Sequence, residues 1–384
     1  MTQHWTVRED SLEINSMPFY WRLTGDGIRH HEIAPRMPIR IYCNEELDML
    51  EYRPSREEAA ILDAAYRQDA NIGFLNEESG QLKTYGTSVN RFFLDVVDAY
   101  RPLNIYEIGC GAGQSILFLK ENGWNVIGID PSDYSRQWSE RIGFTLLNTY
   151  FTGEETNRKA DLIYCNDVFE HVINVVNFAA QVCRSLVSGG VFCFATTNSS
   201  RSINLGDISM LEHQHVNMFT ERSIRLILTR AGFGKIEIRS GSYGDTFQVV
   251  AIKNGLTEVD LPFVSCTGFF SRAEQTLKTF GDFYNEHSSE CQFYVPLRCL
   301  PYLASVGDYG TQDIFDSNTS WRGKFIDGYG LSIRSIDDIP EPKGRCFFVG
   351  SLTFLDDIRR TLFSRGYSDE KIYSIMGLLG KNTK

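Results

Sequence analysis

With 384 residues, 42% of them hydrophobic and 23% charged, the chain has the size of two or three domains and the composition of an ordinary globular protein. Its net charge of −11 argues against nucleic acid as a partner, because nucleic-acid binders carry a basic face. No basic-then-apolar leader opens the sequence and no run of about 18 apolar residues occurs, so a cytoplasmic protein without a membrane span is expected.

Residues 1–100 read as a small N-terminal region, polar and irregular at first, with Pro18, Pro35, Pro38 and Pro54 as breakers. Ser55-Arg56-Glu57-Glu58 forms a capping box ahead of Ala59, Ala60, Ile61 and Leu62, which predicts a helix from Ser55. A second helix is predicted from about Thr87 to Tyr100, with Phe92, Phe93, Val96 and Val97 at helical spacing.

From 101 to 253 short β-rich runs alternate with helical stretches. The predicted strands are 104–108, 125–130, 144–148, 161–166, 190–196, 235–239 and 246–252, and the helices between them include 113–121, 134–141, 172–187 and 220–231. That alternation predicts an α/β fold with a doubly wound, mostly parallel sheet of seven strands. The last two strands have no helix between them, so a closing hairpin with an antiparallel final strand is expected. Lys253 to Glu258 reads as a linker. Beyond it, 254–384 forms a second α/β segment with helices predicted at 270–288, 297–305, 353–366 and 369–378, and strands at 291–296, 312–316 and 345–349.

Nine cysteines are scattered without a C-x-x-C pair. They read as reduced thiols, with neither a disulfide framework nor a zinc site.

The chemistry starts at Ile-Tyr-Glu-Ile-Gly-Cys-Gly-Ala-Gly, residues 105–113. Gly109, Gly111 and Gly113 let the chain turn sharply and approach a ligand closely at a strand's carboxyl end. Asp130, ending the second strand, is placed to accept hydrogen bonds from ribose hydroxyls. A dinucleotide and S-adenosylmethionine both satisfy those two features. The dinucleotide pattern, however, needs its third glycine one residue later, and Glu107 would repel a pyrophosphate. The same carboxylate suits the ammonium and sulfonium charges of a methionine-derived cofactor.

With Asp161-Leu162-Ile163 through Phe169-Glu170-His171-Val172, and the Leu186-Val187-Ser188-Gly189-Gly190 turn, residues 103–253 resemble the class I S-adenosylmethionine-dependent methyltransferases. The resemblance implies that Glu107, Gly109, Gly111 and Gly113 line the methionine moiety and that Asp130 binds the ribose. Tyr150 and Phe151 would flank adenine, Asn166 would sit by the cofactor's amino group, and Tyr85 and Ser88 would close over it. His171 reads as a structural feature of the fold.

A methyl transfer to a hydroxyl or an activated carbon needs a base. Glu212, His213 and His215 stand together before a helix and are the candidates, His215 first. A metal is a poorer reading of them, since the two histidines lack an accompanying ligand set. The segment around His215 and the helix ending in Ala231-Gly232-Phe233 is similar to nucleotide-sugar C-methyltransferases, whose glutamate and second tyrosine are here Gln214 and Met218. Asp313 to Asn318, Trp321 to Lys324 and Leu331 to Ile333 resemble those enzymes' second, Rossmann-like C-terminal domain, although Tyr294-Val295-Pro296 replaces its glycine turn. Their N-terminal zinc module is missing, because the first hundred residues hold only Cys43.

The sequence therefore implies an S-adenosylmethionine-dependent methyltransferase acting on oxygen or carbon of a small polar acceptor, a sugar or nucleotide-linked sugar. The protein is expected to use no metal and could form a homo-oligomer. A nicotinamide-dependent oxidoreductase and a non-catalytic scaffold of the same fold are the alternatives.

Overall fold

A computed structural model describes residues 3–19, 23–24, 34–68, 80–155, 158–241, 245–254 and 266–381. Most of the linker placed at 253–258, and residues 242–244 of the hairpin loop, lie outside them.

The N-terminal region is a sheet where the sequence suggested irregular chain. Strands β1 (Trp5–Val7), β2 (Ser11–Pro18), β4 (Arg36–Asn44) and β5 (Met49–Tyr52) are antiparallel, while β3 (Leu23–Thr24) lies apart. The period-two signal is present in β4, where Met37, Ile39 and Ile41 are buried and the residues between them half-exposed. Pro38 masks it. The register of β2 on β4 slips between Ile14 and Met17, so Pro38 faces a bulge, where a missing N–H costs little.

Helix α1 (Arg56–Gln68) starts at the expected box: Ser55 N–H donates to Glu58 Oε2 at 2.6 Å and Glu58 N–H to Ser55 Oγ at 3.2 Å. Helix α2 (Gly80–Tyr100) begins earlier than predicted, so Thr87 lies inside it and does not start it.

The next elements are β6 (Ile105–Ile108), α3 (Gln114–Glu121), β7 (Val126–Ile129), α4 (Asp133–Ile142), β8 (Thr145–Leu147), β9 (Ala160–Asn166), α5 (Val175–Ser185), β10 (Leu186–Thr197), α6 (Ser200–Leu205), β11 (Asn217–Met218), α7 (Glu221–Ala231), β12 (Lys235–Ser240) and β13 (Thr246–Ile252). Seven of these strands form one sheet in the order β12-β13-β10-β9-β6-β7-β8. All neighbours run parallel except β13, which is antiparallel to both β10 and β12, as the hairpin reading required. The chain order reverses beside β6, which opens a crevice at the carboxyl ends of β6, β7 and β9.

The C-terminal part contains α8 (Phe269–His287), β14 (Cys291–Tyr294), α9 (Pro296–Ser305), β15 (Ile314–Asp316), β16 (Phe325–Ile326), β17 (Arg334–Ser335), β18 (Cys346–Val349), α10 (Leu355–Ser364), β19 (Ile372–Ser374) and α11 (Ile375–Lys381). A second parallel sheet has the order β17-β15-β14-β18-β19. The helix predicted at 369–378 is therefore a strand followed by a short helix, because Ile372 and Ser374 bury themselves beside β18. At the turn after β14 Val295 adopts φ 70°, a left-handed conformation that glycine would hold without strain.

One core joins the N-terminal sheet, residues 203–218 and the second parallel sheet. Asn217 and Met218 pair with Glu51 and Leu50, which clamps the loop carrying Glu212, His213 and His215 between the two sheets. Cys43 and Cys266 are joined by a disulfide, a correction to the reading of nine free thiols. The other seven cysteines are free and buried.

Candidate active site

The crevice holds a cavity of about 450 Å³. Its floor is the glycine turn. Gly109, Gly111 and Gly113 all have positive φ, but they do different work. A Cβ on Gly109 would meet Val168 Cγ2 at 2.4 Å and one on Gly113 would meet Phe144 at 2.4 Å, whereas one on Gly111 meets no protein atom. Gly109 and Gly111 line the cavity. Gly113 does not; it packs helix α3 against Phe144.

Asp130 fixes the loop from the next strand. Its Oδ2 accepts Gly111 N–H at 3.0 Å, and its Oδ1 accepts Ser132 N–H at 2.9 Å and the Ser132 hydroxyl at 2.6 Å. Glu107, only 2% exposed, accepts the Tyr164 hydroxyl at 3.0 Å. Burial pushes its carboxyl well above the usual carboxylate range; Tyr164 partly opposes the shift and Asp130 adds to it. The pocket thus offers a buried acid that ionises readily only beside a positive ligand.

Tyr150, Phe151 and Asn166 line the cavity. Tyr85 and Ser88 do not. Tyr85 acts from behind, its hydroxyl donating to Asp167 Oδ1 at 2.7 Å and Asn166 Oδ1 at 3.3 Å. Asp167 itself lines the cavity at φ 49°. Its carboxyl is raised by burial first and by Glu170 second.

Helix α1 roofs the pocket with Ala59, Leu62, Asp63 and Tyr66, a helical face that sequence periodicity could have marked as apolar but not as cavity-lining. The Tyr150 hydroxyl donates to Asp63 at 2.7 Å, Arg67 pairs with Asp63 at 3.0 Å, and the Arg67 guanidinium lies 4.8 Å from the Tyr150 ring centre.

The histidines are redistributed. His171, which read as structural, lines the cavity, whereas Glu212, His213 and His215 do not. His171 Nδ1 lies 2.9 Å from both the Gln214 carbonyl and the Tyr66 hydroxyl. A carbonyl can only accept, so Nδ1 carries the proton and Nε2 keeps its lone pair. Burial, then the charge of His215, lowers His171 to about 4 and keeps it neutral. His215 Nδ1 is paired with Glu212 Oε1. Burial pulls His215 down, but the Glu212 carboxylate more than offsets it, so His215 lies above the ordinary histidine range.

His213 is a core residue outside the cavity lining. It contacts the Pro38 carbonyl at 3.3 Å and packs between Phe19 and Tyr52, with ring centres 5.2 and 5.7 Å away. Burial lowers it to about 4. Glu170, wholly buried, accepts the Thr196 hydroxyl with Oε2, and its Oε1 has no hydrogen-bond partner. Glu170, His171 and His215 bring one ligand atom each within 4.8 Å of one another, a spacing able to hold a cation.

Residues 74–238 match the family model described as a methyltransferase domain. The chain is 23% identical over 208 residues to a ubiquinone biosynthesis O-methyltransferase of Rickettsia conorii, covering 50% of this chain and 70% of that protein. A trans-aconitate 2-methyltransferase of Agrobacterium fabrum is 38% identical over 108 residues, 26% of this chain and 41% of that one. Among solved structures, the magnesium protoporphyrin IX methyltransferase of Synechocystis PCC 6803 with bound SAH is 16% identical, covering 52% of this chain and all of that one at a TM-score of 0.37. The chain carries a class I methyltransferase domain, and its methyl donor is S-adenosylmethionine.

Proposed function

We propose that the protein transfers the methyl group of S-adenosylmethionine to a hydroxyl or carboxylate oxygen of a small polar acceptor, with His171 taking up the proton where the acceptor is a hydroxyl. The observation that carries this reading is the His171 imidazole. It is neutral, lines the same cavity as Glu107 and Asp130, and has its tautomer set by the Gln214 carbonyl.

A methyl group leaving a sulfonium needs an acceptor held in line, and a hydroxyl needs its proton removed as the bond forms. The His171 ring lines the cavity, and with Nδ1 protonated its Nε2 lone pair is the one free to take a proton. The imidazolium formed there would be stabilised by the nearby Asp167 carboxyl, which favours the charged ring. Glu107 would hold the cationic part of the donor, Asp130 the ribose, and Tyr150 and Phe151 the adenine. His215, the base expected from the sequence, becomes a positioning group behind His171.

Two named relatives, one an O-methyltransferase and the other acting on an organic acid by its name, support oxygen acceptors. No named relative supports the sugar acceptor that the sequence resemblance implied. The test is incubation with methyl-labelled S-adenosylmethionine and a catechol, a small tricarboxylate and a sugar nucleotide, with mass spectrometry of the products. An O-methylated product is expected. A product methylated on carbon, or none from any acceptor with the cofactor bound, contradicts the reading.

A further inference from the structure

A second cluster of ligand-type side chains lies away from the cofactor pocket, in the C-terminal sheet. His287 ends helix α8, Glu290 closes the turn that follows, and Cys346 begins β18. One ligand atom of each lies within 4.8 Å of the other two. His287 Nδ1 and Glu290 Oε1 are 3.0 Å apart, and the side chains are 18% and 35% exposed, so an ion can enter from solvent. Cys346 is fully buried.

Two further observations fit a cation here. Cys291 is the direct partner of Cys346 across β14 and β18, so the two thiols project to the same face. The carboxyl end of the 19-residue helix α8, with its negative dipole end, reaches the site at His287. Lys371 Nζ, 3.8 Å from Glu290 Oε1, supplies positive charge to the same carboxylate and is exposed enough to swing out.

We propose that His287, Glu290 and Cys346 form a zinc site, with water at the fourth vertex and the Cys291 thiol hydrogen-bonded to the Cys346 sulfur. Imidazole, carboxylate and thiolate together suit Zn²⁺, and three protein ligands plus water complete a tetrahedron. Sequence spacing hides the set, because Cys346 reaches the His287–Glu290 turn only through strand pairing. The site lies at the amino ends of β14 and β18. Arg298 and Leu352, beyond their carboxyl ends, contact Ser209 and Arg201, and Thr353 contacts Asp245. Zinc therefore acts on the fold of this segment and leaves cofactor binding alone.

The test is metal analysis of protein purified without chelator, followed by titration of the stripped protein with zinc chloride in competition with a chromogenic chelator. One zinc per chain is expected, with a thiolate-to-metal charge-transfer band when cobalt replaces it. Cys346→Ser and His287→Ala should lose stoichiometric binding. Glu290→Gln, the most exposed ligand and the safest for folding, should weaken it, and Cys291→Ser should weaken it about tenfold as an outer-shell partner. S-adenosylmethionine affinity should be unchanged in Glu290→Gln. Absence of zinc from folded wild-type protein overturns the proposal. So does zinc binding that survives Cys346→Ser, or a Cys291–Cys346 disulfide in the freshly purified protein.

Discussion

The rings of His171 and His215 lie with their centres 4.9 Å apart, at an interplanar angle of 61°. Their surroundings drive them to opposite charge states. Burial and the neighbouring imidazolium keep His171 neutral, and the Glu212 carboxylate holds the proton on His215. Paired groups pushed apart in this way divide the roles of proton acceptor and charged support.

Removing the charge of His215 should therefore release His171. In His215→Gln the acid limb of the pH–rate profile, where His171 becomes protonated and methyl transfer stops, should move to higher pH. An unshifted limb would mean that the two rings are not coupled.

Glu107 should couple cofactor binding to pH. Its raised carboxyl is protonated more readily than an ordinary one in the empty pocket, and the ammonium and sulfonium charges favour the ionised form. Binding should then release a proton, and affinity should rise as pH rises through the carboxyl's titration. Calorimetry in buffers of different ionisation enthalpy reads this directly. Glu107→Gln should abolish the proton release and weaken S-adenosylmethionine by more than about tenfold, roughly 1.4 kcal/mol. Proton uptake on binding would contradict this role.

Gly111→Ala and Gly113→Ala should separate binding from folding. At Gly111 a methyl group points into free space within the cavity. Cofactor affinity should fall more than about tenfold, with only about 1 kcal/mol of backbone strain. At Gly113 the added atom meets the Phe144 ring. Thermal stability should fall by at least about 2 kcal/mol, from strain and overpacking together. Melting curves with calorimetry check both, and equal effects at the two positions would contradict the division.

The seven-stranded sheet and the cofactor floor were legible because both depend on local signals: alternating β and helical patterns, three glycines, and the acids at 107 and 130. The N-terminal sheet was hidden by Pro38, which only the register slip opposite it makes acceptable. The histidines are arranged differently from their order in the sequence. His213 and His215 cluster in sequence, but neither lines the cavity, and tertiary packing brings to its wall His171, 43 positions upstream of Gln214. Asp63 and Tyr66 carry no motif at all; they matter because α1 crosses the pocket.

That crossing gives a further prediction. Asp63→Ala and Tyr150→Phe each remove the latch between α1 and the Tyr150 side of the cavity. Each should weaken S-adenosylmethionine by about 1 kcal/mol, the scale of a lost hydrogen bond, and the double variant should be no weaker than either single one. Fully additive losses would mean that the two residues act separately.

The most direct test of the account is His171→Gln, assayed for S-adenosylmethionine affinity by calorimetry and for methyl transfer to a hydroxyl acceptor from the panel. Affinity should stay within about threefold while turnover falls by about 10²–10⁴, the range for a lost general base. Full turnover in that variant, or turnover and affinity lost in parallel, would contradict the role of His171 as the proton acceptor.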